Sequence, residues 1–368
     1  MKKKVIVLGA TGSIGKSALD VIRHDSESFT VVALAANRSE MELAALNQEF
    51  QPERSVLTER DGEQSLLTLI REVDADIVVN GISGAKGLLP SCEALSSGKD
   101  LALANKETIV MAGPIIRALA QTNNKQLIPV DSEHSAVFAL LGAHHSESVS
   151  EIVLTASGGP FRTWDSKKIR KARVKQALNH PTWNMGQKIT IDSASLANKG
   201  LEIIEAVRLF DIDAKQIKVV VHPQSLIHSL IRTKDGILYA QISHPDMRHP
   251  IHNALYWPKI EKTYLEPLTF DHPLVMSFEP PRYQDFPLLS LAHRCAAMGG
   301  NYPTAFNAAN EIAVEAFLDE TLTFGQMFDL VAEVLDDDWS APCIEIEEVL
   351  RQDARARQKA NGIRKGRK

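Results

Sequence analysis

Two carboxylates, Asp131 and Glu133, stand two residues apart in the run Pro129-Val130-Asp131-Ser132-Glu133-His134, where an apolar segment ends. On an extended chain, residues at i and i+2 project to the same side. Like charges held in one small volume are costly unless a proton or a cation joins them. A hard divalent ion with oxygen ligands, Mg²⁺ or Mn²⁺, suits such a pair; a cap on the helix that follows would use the same residues. A second polar set occupies 192–206. Asn198 and Glu202 are four apart and Lys199 and Glu202 three apart, so all three share a helical face, with Ile203, Val207 and Phe210 opposite as core. That face reads either as solvated or, with Ser193 and Gly200 beside it, as a phosphate grip next to a third metal carboxylate. Glu202 is the first choice for that ligand and Glu205 the second.

Two further runs offer chemistry. Ser157 beside Gly158 and Gly159 supplies a hydroxyl and open backbone N–H groups, which hold phosphates well, although a plain turn uses the same residues. Asn179 to Gly186 sets Trp183 and Met185 in a loop bounded by Pro181 and Gly186. Large apolar residues there suit either a lid over a ligand or a plug on the core.

The elements that must position these groups begin with a buried strand at 5–8. The glycine run GATGSIG follows at 9–15, and then a helical pattern through Ala18, Leu19, Val21 and Ile22. Glycines at 9, 12 and 15 between a strand and a helix are a variant of the dinucleotide phosphate loop, with the helix N–H groups facing the phosphates. A second strand at 29–35 leads to Ala36-Asn37-Arg38-Ser39. NAD sites usually carry an acid there; donors in its place favour NADP, unless Arg38 is simply a solvated loop residue. A helix at 66–73, strands at 77–80, 101–104 and 127–130, and a loop at 81–84 continue the αβ alternation. Lys106 and Asp131 both leave from strand ends, where doubly wound sheets bind ligands; the lysine reads as a cleft residue over a surface one. Serines at 193 and 195 suit helix N-caps.

Beyond the polar helix, strands at 219–223 and 236–242, with 227–231 beside them, form a second sheet suited to dimerisation. Residues 257–282 lack periodicity and read as a linker. Helical patterns at 288–298, 304–318, 323–334 and from 345 onward give a bracing bundle, with Asn310 and Glu311 as interhelical polar contacts. The expected fold is α/β: a Rossmann-type parallel-sheet domain at 1–130, an α+β catalytic and dimerisation domain with its own sheet at 131–256, a linker at 257–283 and a C-terminal helical domain at 284–368.

Length and composition agree with several domains. The chain has 368 residues, 44% hydrophobic and 24% charged, ordinary for a globular protein of two or three domains. A net charge of −5 gives no basic field for nucleic acid. The basic run at 364–368 reads as a frayed tail. Cys92, Cys295 and Cys343 form no CxxC pair, which fits a reducing, cytoplasmic setting. The apolar run at 5–8 is too short for a signal-peptide core, and no apolar stretch reaches the roughly 20 residues of a membrane span.

Taken in order, GATGSIG at 9–15, ANKE at 104–107, PVDSEH at 129–134, SGGPFR at 157–162, HPTWNMG at 180–186, DSASLANKGLE at 192–202, HPQSLIHSL at 222–230 and NAANE at 307–311 closely resemble the 1-deoxy-D-xylulose-5-phosphate reductoisomerase family. The likeness spans nearly the whole chain. It departs only at Ala10 and at a short connection over 142–150.

The resemblance implies metal ligands at Asp131, Glu133 and Glu202. It implies substrate contacts at Ser132, Glu133, Ser157, His180, Ser193, Asn198, Lys199 and Glu202, with Lys106 near the reacting carbons and a flap at 180–186 whose Trp183 and Met185 cover the substrate. His180, Lys106 and the three carboxylates would be the catalytic set. NADPH contacts would fall on Thr11, Gly12, Ser13, Ile14, Asn37, Arg38, Ser39, Asn105, Glu107 and Gly186. The implied enzyme is a homodimer using NADPH and Mg²⁺ or Mn²⁺, with Co²⁺ as a further option. The metal would polarise the ketone, and the skeleton would rearrange by retro-aldol cleavage and re-addition to a branched aldehyde phosphate. Hydride from NADPH would then give 2-C-methyl-D-erythritol 4-phosphate. Two competitors are an NADP-dependent dehydrogenase of the homoserine or aspartate-semialdehyde type, and a redox-sensing NADP-binding module; neither requires the three carboxylates together.

Overall fold

Short runs such as Val5-Ile6-Val7-Leu8 and Ile77-Val78-Val79 are apolar without alternation, the pattern of strands covered on both faces. The computed structural model describes residues 1–144, 146–183 and 185–367; of the motifs above, Asn184 in the flap, His145 in the short connection and Lys368 in the tail lie outside them. The first sheet comprises β1 (Lys3–Leu8), β2 (Phe29–Ala36), β3 (Arg54–Leu57), β4 (Ile77–Asn80), β5 (Asp100–Leu103) and β6 (Leu127–Pro129). All neighbours are parallel, in the order β3-β2-β1-β4-β5-β6. The order reverses between β1 and β4, and a crevice opens at such a point beyond the strand ends. The associated helices are α1 (Ser13–His24), α2 (Glu40–Phe50), α3 (Thr58–Asp61), α4 (Glu63–Glu72), α5 (Leu88–Ser96) and α6 (Lys106–Thr122).

After α7 (Ser132–Ala143) a second, mixed sheet begins with β7 (Val149–Ala156). It continues through α8 (Ser166–Ile169), α9 (Val174–Ala177), α10 (Gln187–Ala194) and α11 (Ala197–Phe210) to β8 (Ile217–Val221), β9 (Ile227–Thr233) and β10 (Leu238–Ile242), in the order β10-β9-β7-β8. Then come α12 (Arg248–Tyr256), α13 (Pro287–Met298), α14 (Tyr302–Leu318), α15 (Phe324–Leu335) and α16 (Ile346–Gly366). The α/β class, the two sheets and the C-terminal helices are as the sequence suggests.

Two compact units result: residues 1–108, 116–135 and 246–267 form one, and 109–115, 136–245 and 268–368 the other. These bounds differ from the four-part division read from the sequence. In the first unit, Arg248 of α12 pairs with Asp20 of α1 at 3.0 Å, and Lys3 of β1 donates to the carbonyl of Leu255 at 2.7 Å. Segment 246–267 therefore belongs to the parallel-sheet unit, a long-range pairing without local periodicity. In the second unit one apolar core runs from Ile152 and Leu154 of β7 and Ile203 of α11 to Phe306, Phe317, Phe324, Phe328 and Trp339. The C-terminal helices thus share a core with the second sheet.

The second unit also holds a kink in α6. Ala112 departs from helical geometry (φ −133°, ψ 25°) next to Pro114. Proline has no N–H, so the carbonyl of Val110 loses its helical partner. Arg208 of α11 fills the gap, donating from Nη1 to Val110 O at 2.7 Å and Met111 O at 2.9 Å and from Nη2 to Gly300 O at 2.7 Å. Room for it comes from Gly113, where an added Cβ would lie 2.6 Å from Arg208 Cβ. Arg208→Met should therefore destabilise the protein by about 2–4 kcal/mol in urea denaturation, because buried carbonyls lose their donor. A change below about 0.5 kcal/mol, ordinary for a surface substitution, would show that the pin is dispensable.

Candidate active site

In the first unit the polar groups gather where β5 and β6 end. Val130 N bonds Leu103 O at 2.9 Å, so the chain keeps pairing until Asp131, which is 8% exposed. Lys106, at the start of α6, places Nζ 2.6 Å from Asp131 Oδ2, and His134 Nδ1 lies 3.4 Å from Oδ1. Burial pushes the Asp131 carboxyl up, but the charge of Lys106 and the bond to His134 outweigh it and hold it well below the usual carboxylate range. Asp131 is thus an anion at neutral pH, fit to ligate a cation.

The local geometry corrects one expectation. Asp131 and Glu133 do not share a side of an extended chain, because α7 starts at Ser132. Asp131 Oδ1 accepts from Glu133 N at 3.3 Å, and Glu133 Oε2 accepts from Ser132 Oγ at 2.6 Å. Asp131 therefore caps the helix, the second of the two readings of the motif, while the Glu133 carboxylate is taken up by the Ser132 hydroxyl. His134 received no role from the sequence; its place three residues after Asp131 on a helix start was the available signal.

The nucleotide-loop candidates are open to solvent or half-buried. Thr11 and Ile14 are half-buried, and Gly12, Ser13, Asn37, Arg38 and Ser39 are exposed. Gly9 adopts φ +74°, and a Cβ there would lie 2.8 Å from Gly81 O, so glycine is required for β1 and β4 to end this close together. Among the described residues no side chain caps α1 at Gly12, where the first N–H groups of a helix lack intrahelical partners. Thr58 Oγ1 donates to Asn37 Oδ1 at 3.1 Å and Arg38 Nε to Glu59 Oε1 at 2.8 Å. Asn105 is buried; its Oδ1 caps α6 at Thr108 N (3.0 Å) and its Nδ2 donates to Ile82 O, Gly84 O and Glu107. Its side chain therefore holds the loop after β4, a reason for an asparagine at this position besides any contact with a cofactor.

In the second unit Ser157, His180 and Ser193 meet. His180 Nε2 lies 3.1 Å from Ser157 Oγ and 3.1 Å from Ser193 Oγ, and Nδ1 accepts from Thr182 N and Trp183 N at 3.1 and 2.9 Å. Burial lowers the His180 pKa, so the neutral ring prevails at pH 7. With Nδ1 accepting, Nε2 carries the proton and donates. Gly159 (φ +65°) brings the glycine loop to this place, since a Cβ there would meet Ser193 O at 2.8 Å. Two hydroxyls and an imidazole N–H thus converge, a set of donors that can hold an anion. Trp183 and Met185 are half-buried and lie outside helix and strand, and Gly186 is exposed.

The polar helical face lies on α11 and is not solvated: Lys199 and Glu202 are 3% and 1% exposed. Glu202 pairs with Lys199 through Oε2 and accepts from Asn198 Nδ2 at 2.5 Å through Oε1. Glu205 is buried on the same helix. The serines do not cap α11 as expected. Ser193 lies within α10, and Leu196 takes the cap position in the left-handed region (φ 57°), with Ser195 Oγ reaching Ala197 N at 3.4 Å. Asp192, to which the sequence gave no role, is 1% exposed and paired with Lys188 and Asn310. The four-residue spacing to Lys188 was the available local signal; the partner on α14, 118 residues away, left none.

Comparison with known proteins covers the whole chain. Family models described as 1-deoxy-D-xylulose 5-phosphate reductoisomerase match residues 5–61 and 55–113, that enzyme's C-terminal domain matches 127–210, and the DXP reductoisomerase C-terminal domain matches 242–359. The chain is similar to the reductoisomerase of Treponema denticola (46% identical over 364 residues, 97% of this chain and 96% of that one). It is also similar to that of Treponema pallidum (45% identical, 96% of each). A solved structure of the Zymomonas mobilis enzyme in complex with NADPH superimposes with a TM-score of 0.91 at 39% identity over 99% of both chains. A DOX-P reductoisomerase complex with NADPH, fosmidomycin and magnesium gives 0.92 at 36% identity, covering 99% of this chain and 98% of that one.

Proposed function

Because the chain belongs to the 1-deoxy-D-xylulose 5-phosphate reductoisomerase family, we propose that its buried carboxylates, anion cradle and glycine loop carry that family's reaction. The enzyme converts 1-deoxy-D-xylulose 5-phosphate to 2-C-methyl-D-erythritol 4-phosphate, using NADPH and a divalent metal ion, in isoprenoid precursor synthesis. The observation that carries the assignment of residues is the convergence of Ser157, His180 and Ser193 at 3.1 Å, a ready cradle for the substrate's phosphate. Asn198 and Lys199 complete the grip.

Asp131, Glu133 and Glu202 would hold the metal. Their chemistry fits a hard divalent ion: oxygen donors only, with Asp131 held as an anion by its surroundings. Mg²⁺, Mn²⁺ or Co²⁺ would supply Lewis-acid polarisation of the ketone and its neighbouring hydroxyl, and NADPH the hydride. Around that centre Lys106 contributes a fixed positive charge toward developing oxyanion character, and Ser132 a hydroxyl between two ligands. Binding energy from the distant phosphate draws the flap at 180–186, with Trp183 and Met185, over the substrate and excludes water.

The nucleotide sits on the first unit, along Thr11, Gly12, Ser13 and Ile14, with Asn105, Glu107 and Gly186 toward the nicotinamide. Asn37, Arg38 and Ser39 receive the 2′-phosphate in place of the acid an NAD site carries. The second unit carries the phosphate grip, with its C-terminal helices as a brace. Two wider readings join this one. Ile237, Leu238, Tyr239 and Ile242 are exposed on or beside β10, the edge strand of the second sheet. An apolar edge of this kind asks to be covered, and a second copy of the chain covers it in a homodimer. The three free cysteines suit a reducing cytoplasm, and no helix among the described residues is long and apolar enough to cross a membrane.

Glu202→Gln should lose Mn²⁺ binding, measured by titration calorimetry, by tenfold or more, while NADPH affinity measured by fluorescence stays near wild type. Equal loss of both would make Glu202 a structural residue. For the edge strand, Leu238→Asp should convert a sedimenting dimer to monomer; a wild-type chain that sediments as a monomer refutes the dimer.

A further inference from the structure

Asn310 lies in the middle of α14 with no exposed surface, in a helix whose buried positions are mostly apolar. A buried amide is costly unless it is hydrogen-bonded. Nδ2 donates to Asp192 Oδ1 at 2.7 Å, while Asn310 Oδ1 has no hydrogen-bond partner among the described residues. The bond to Asp192 is therefore the interaction that makes an asparagine worth keeping here. Asp192 in turn pairs with Lys188 at 2.9 Å, one turn earlier on α10. The result is a buried carboxylate clamped between its own helix and α14.

Asp192 immediately precedes Ser193. Consecutive helical residues project roughly 100° apart, so anchoring Asp192 on α14 sets the direction in which Ser193 points. That direction brings Ser193 Oγ within 3.1 Å of His180 Nε2. The end of α10 is confined as well, because Gly159 packs so closely on Ser193 O that a Cβ would stand 2.8 Å away. The chain then passes through the left-handed Leu196 into α11, so the rotation of α10 also sets where Asn198 and Lys199 begin.

We propose that Asn310 and Asp192 are positioning residues for the substrate's phosphate: they touch no substrate, and they hold Ser193 in register with His180 and Ser157. The proposal rests on reading those three side chains as the phosphate cradle. Asn307, on the same helix and equally buried, provides an internal control. Its Nδ2 bonds Glu311 Oε1 at 3.1 Å within α14, so it lacks the link to α10.

Steady-state kinetics of the intact enzyme, saturated with Mn²⁺, test it. Asn310→Ala should raise the KM for 1-deoxy-D-xylulose 5-phosphate about tenfold with a smaller fall in kcat and an unchanged KM for NADPH. Asn310→Asp, which sets two carboxylates face to face, should be worse. The exchange Asp192→Asn with Asn310→Asp restores one amide–carboxylate bond between the helices and should recover most of the loss, which also answers any failure of the single variants to fold. Asn307→Ala should lower the melting temperature without moving the substrate KM. If Asn310→Ala leaves the substrate KM within about twofold while Ser193→Ala raises it, the positioning proposal is overturned and the cradle stands. If Ser193→Ala also leaves it unchanged, the cradle reading fails and the proposal with it. Parallel rises in the KM for substrate and for NADPH would likewise overturn it, by showing a general loss of structure.

Discussion

A carboxylate removed from water must meet a cation or several donors, or it takes up a proton. That constraint shapes the two units alike. Asp131 remains ionised in a buried place because Lys106 stands 2.6 Å away, and Glu202 is held by Lys199 and Asn198. Asp192 is held by Lys188 and Asn310. Each of these carboxylates has its partners built in, so much of the cost of burying it is already offset when the protein folds. Under the proposed function, Asp131 and Glu202 would ligate the divalent ion from such prepared places, and Lys106 would serve the reacting oxygen.

The surrounding structure can be understood as the means of putting those partners in place. Parallel pairing of β5 with β6 brings two strand ends side by side, so that Lys106 at one and Asp131 at the other meet without any closeness in sequence. On α11 the pairs come from helical spacing, three and four residues apart. Arg208 on the same helix stabilises the carbonyls freed by Pro114, which ties the polar helix to the kinked one within the second unit. The glycine loop at 157–159 and the end of α10 approach each other at Gly159, where a side chain would force them apart. The placement of these polar groups thus depends on a few close approaches more than on the extent of the core.

How much of this could be read in the sequence follows from the range of each interaction. The parallel sheet, the glycine loop after β1 and the helical face of Asn198, Lys199 and Glu202 were legible because periodicity and turn chemistry are local. The start of α7 was not. Asp131 and Glu133 sit on the boundary between strand and helix, where an extended and a helical reading compete, and capping decided it. The serines at 193 and 195 misled for a related reason, since the left-handed Leu196 took the cap position. The return of segment 246–267 to the first unit depends on contacts across hundreds of residues and leaves no local trace; Asn310 was legible as an interhelical polar contact, but its partner Asp192, 118 residues away, was not. Motif order carried the functional assignment that these local signals alone left open.

The central claim is that buried, pre-paired carboxylates hold a metal that hydride transfer to the rearranged sugar phosphate requires. NADPH oxidation followed by absorbance, with 1-deoxy-D-xylulose 5-phosphate as substrate, tests this most directly on enzyme that has been exhaustively chelated and then resupplied with Mn²⁺. The account predicts no turnover after chelation and full recovery on adding the ion, with NADPH still bound throughout. Turnover that persists unchanged without metal would contradict it.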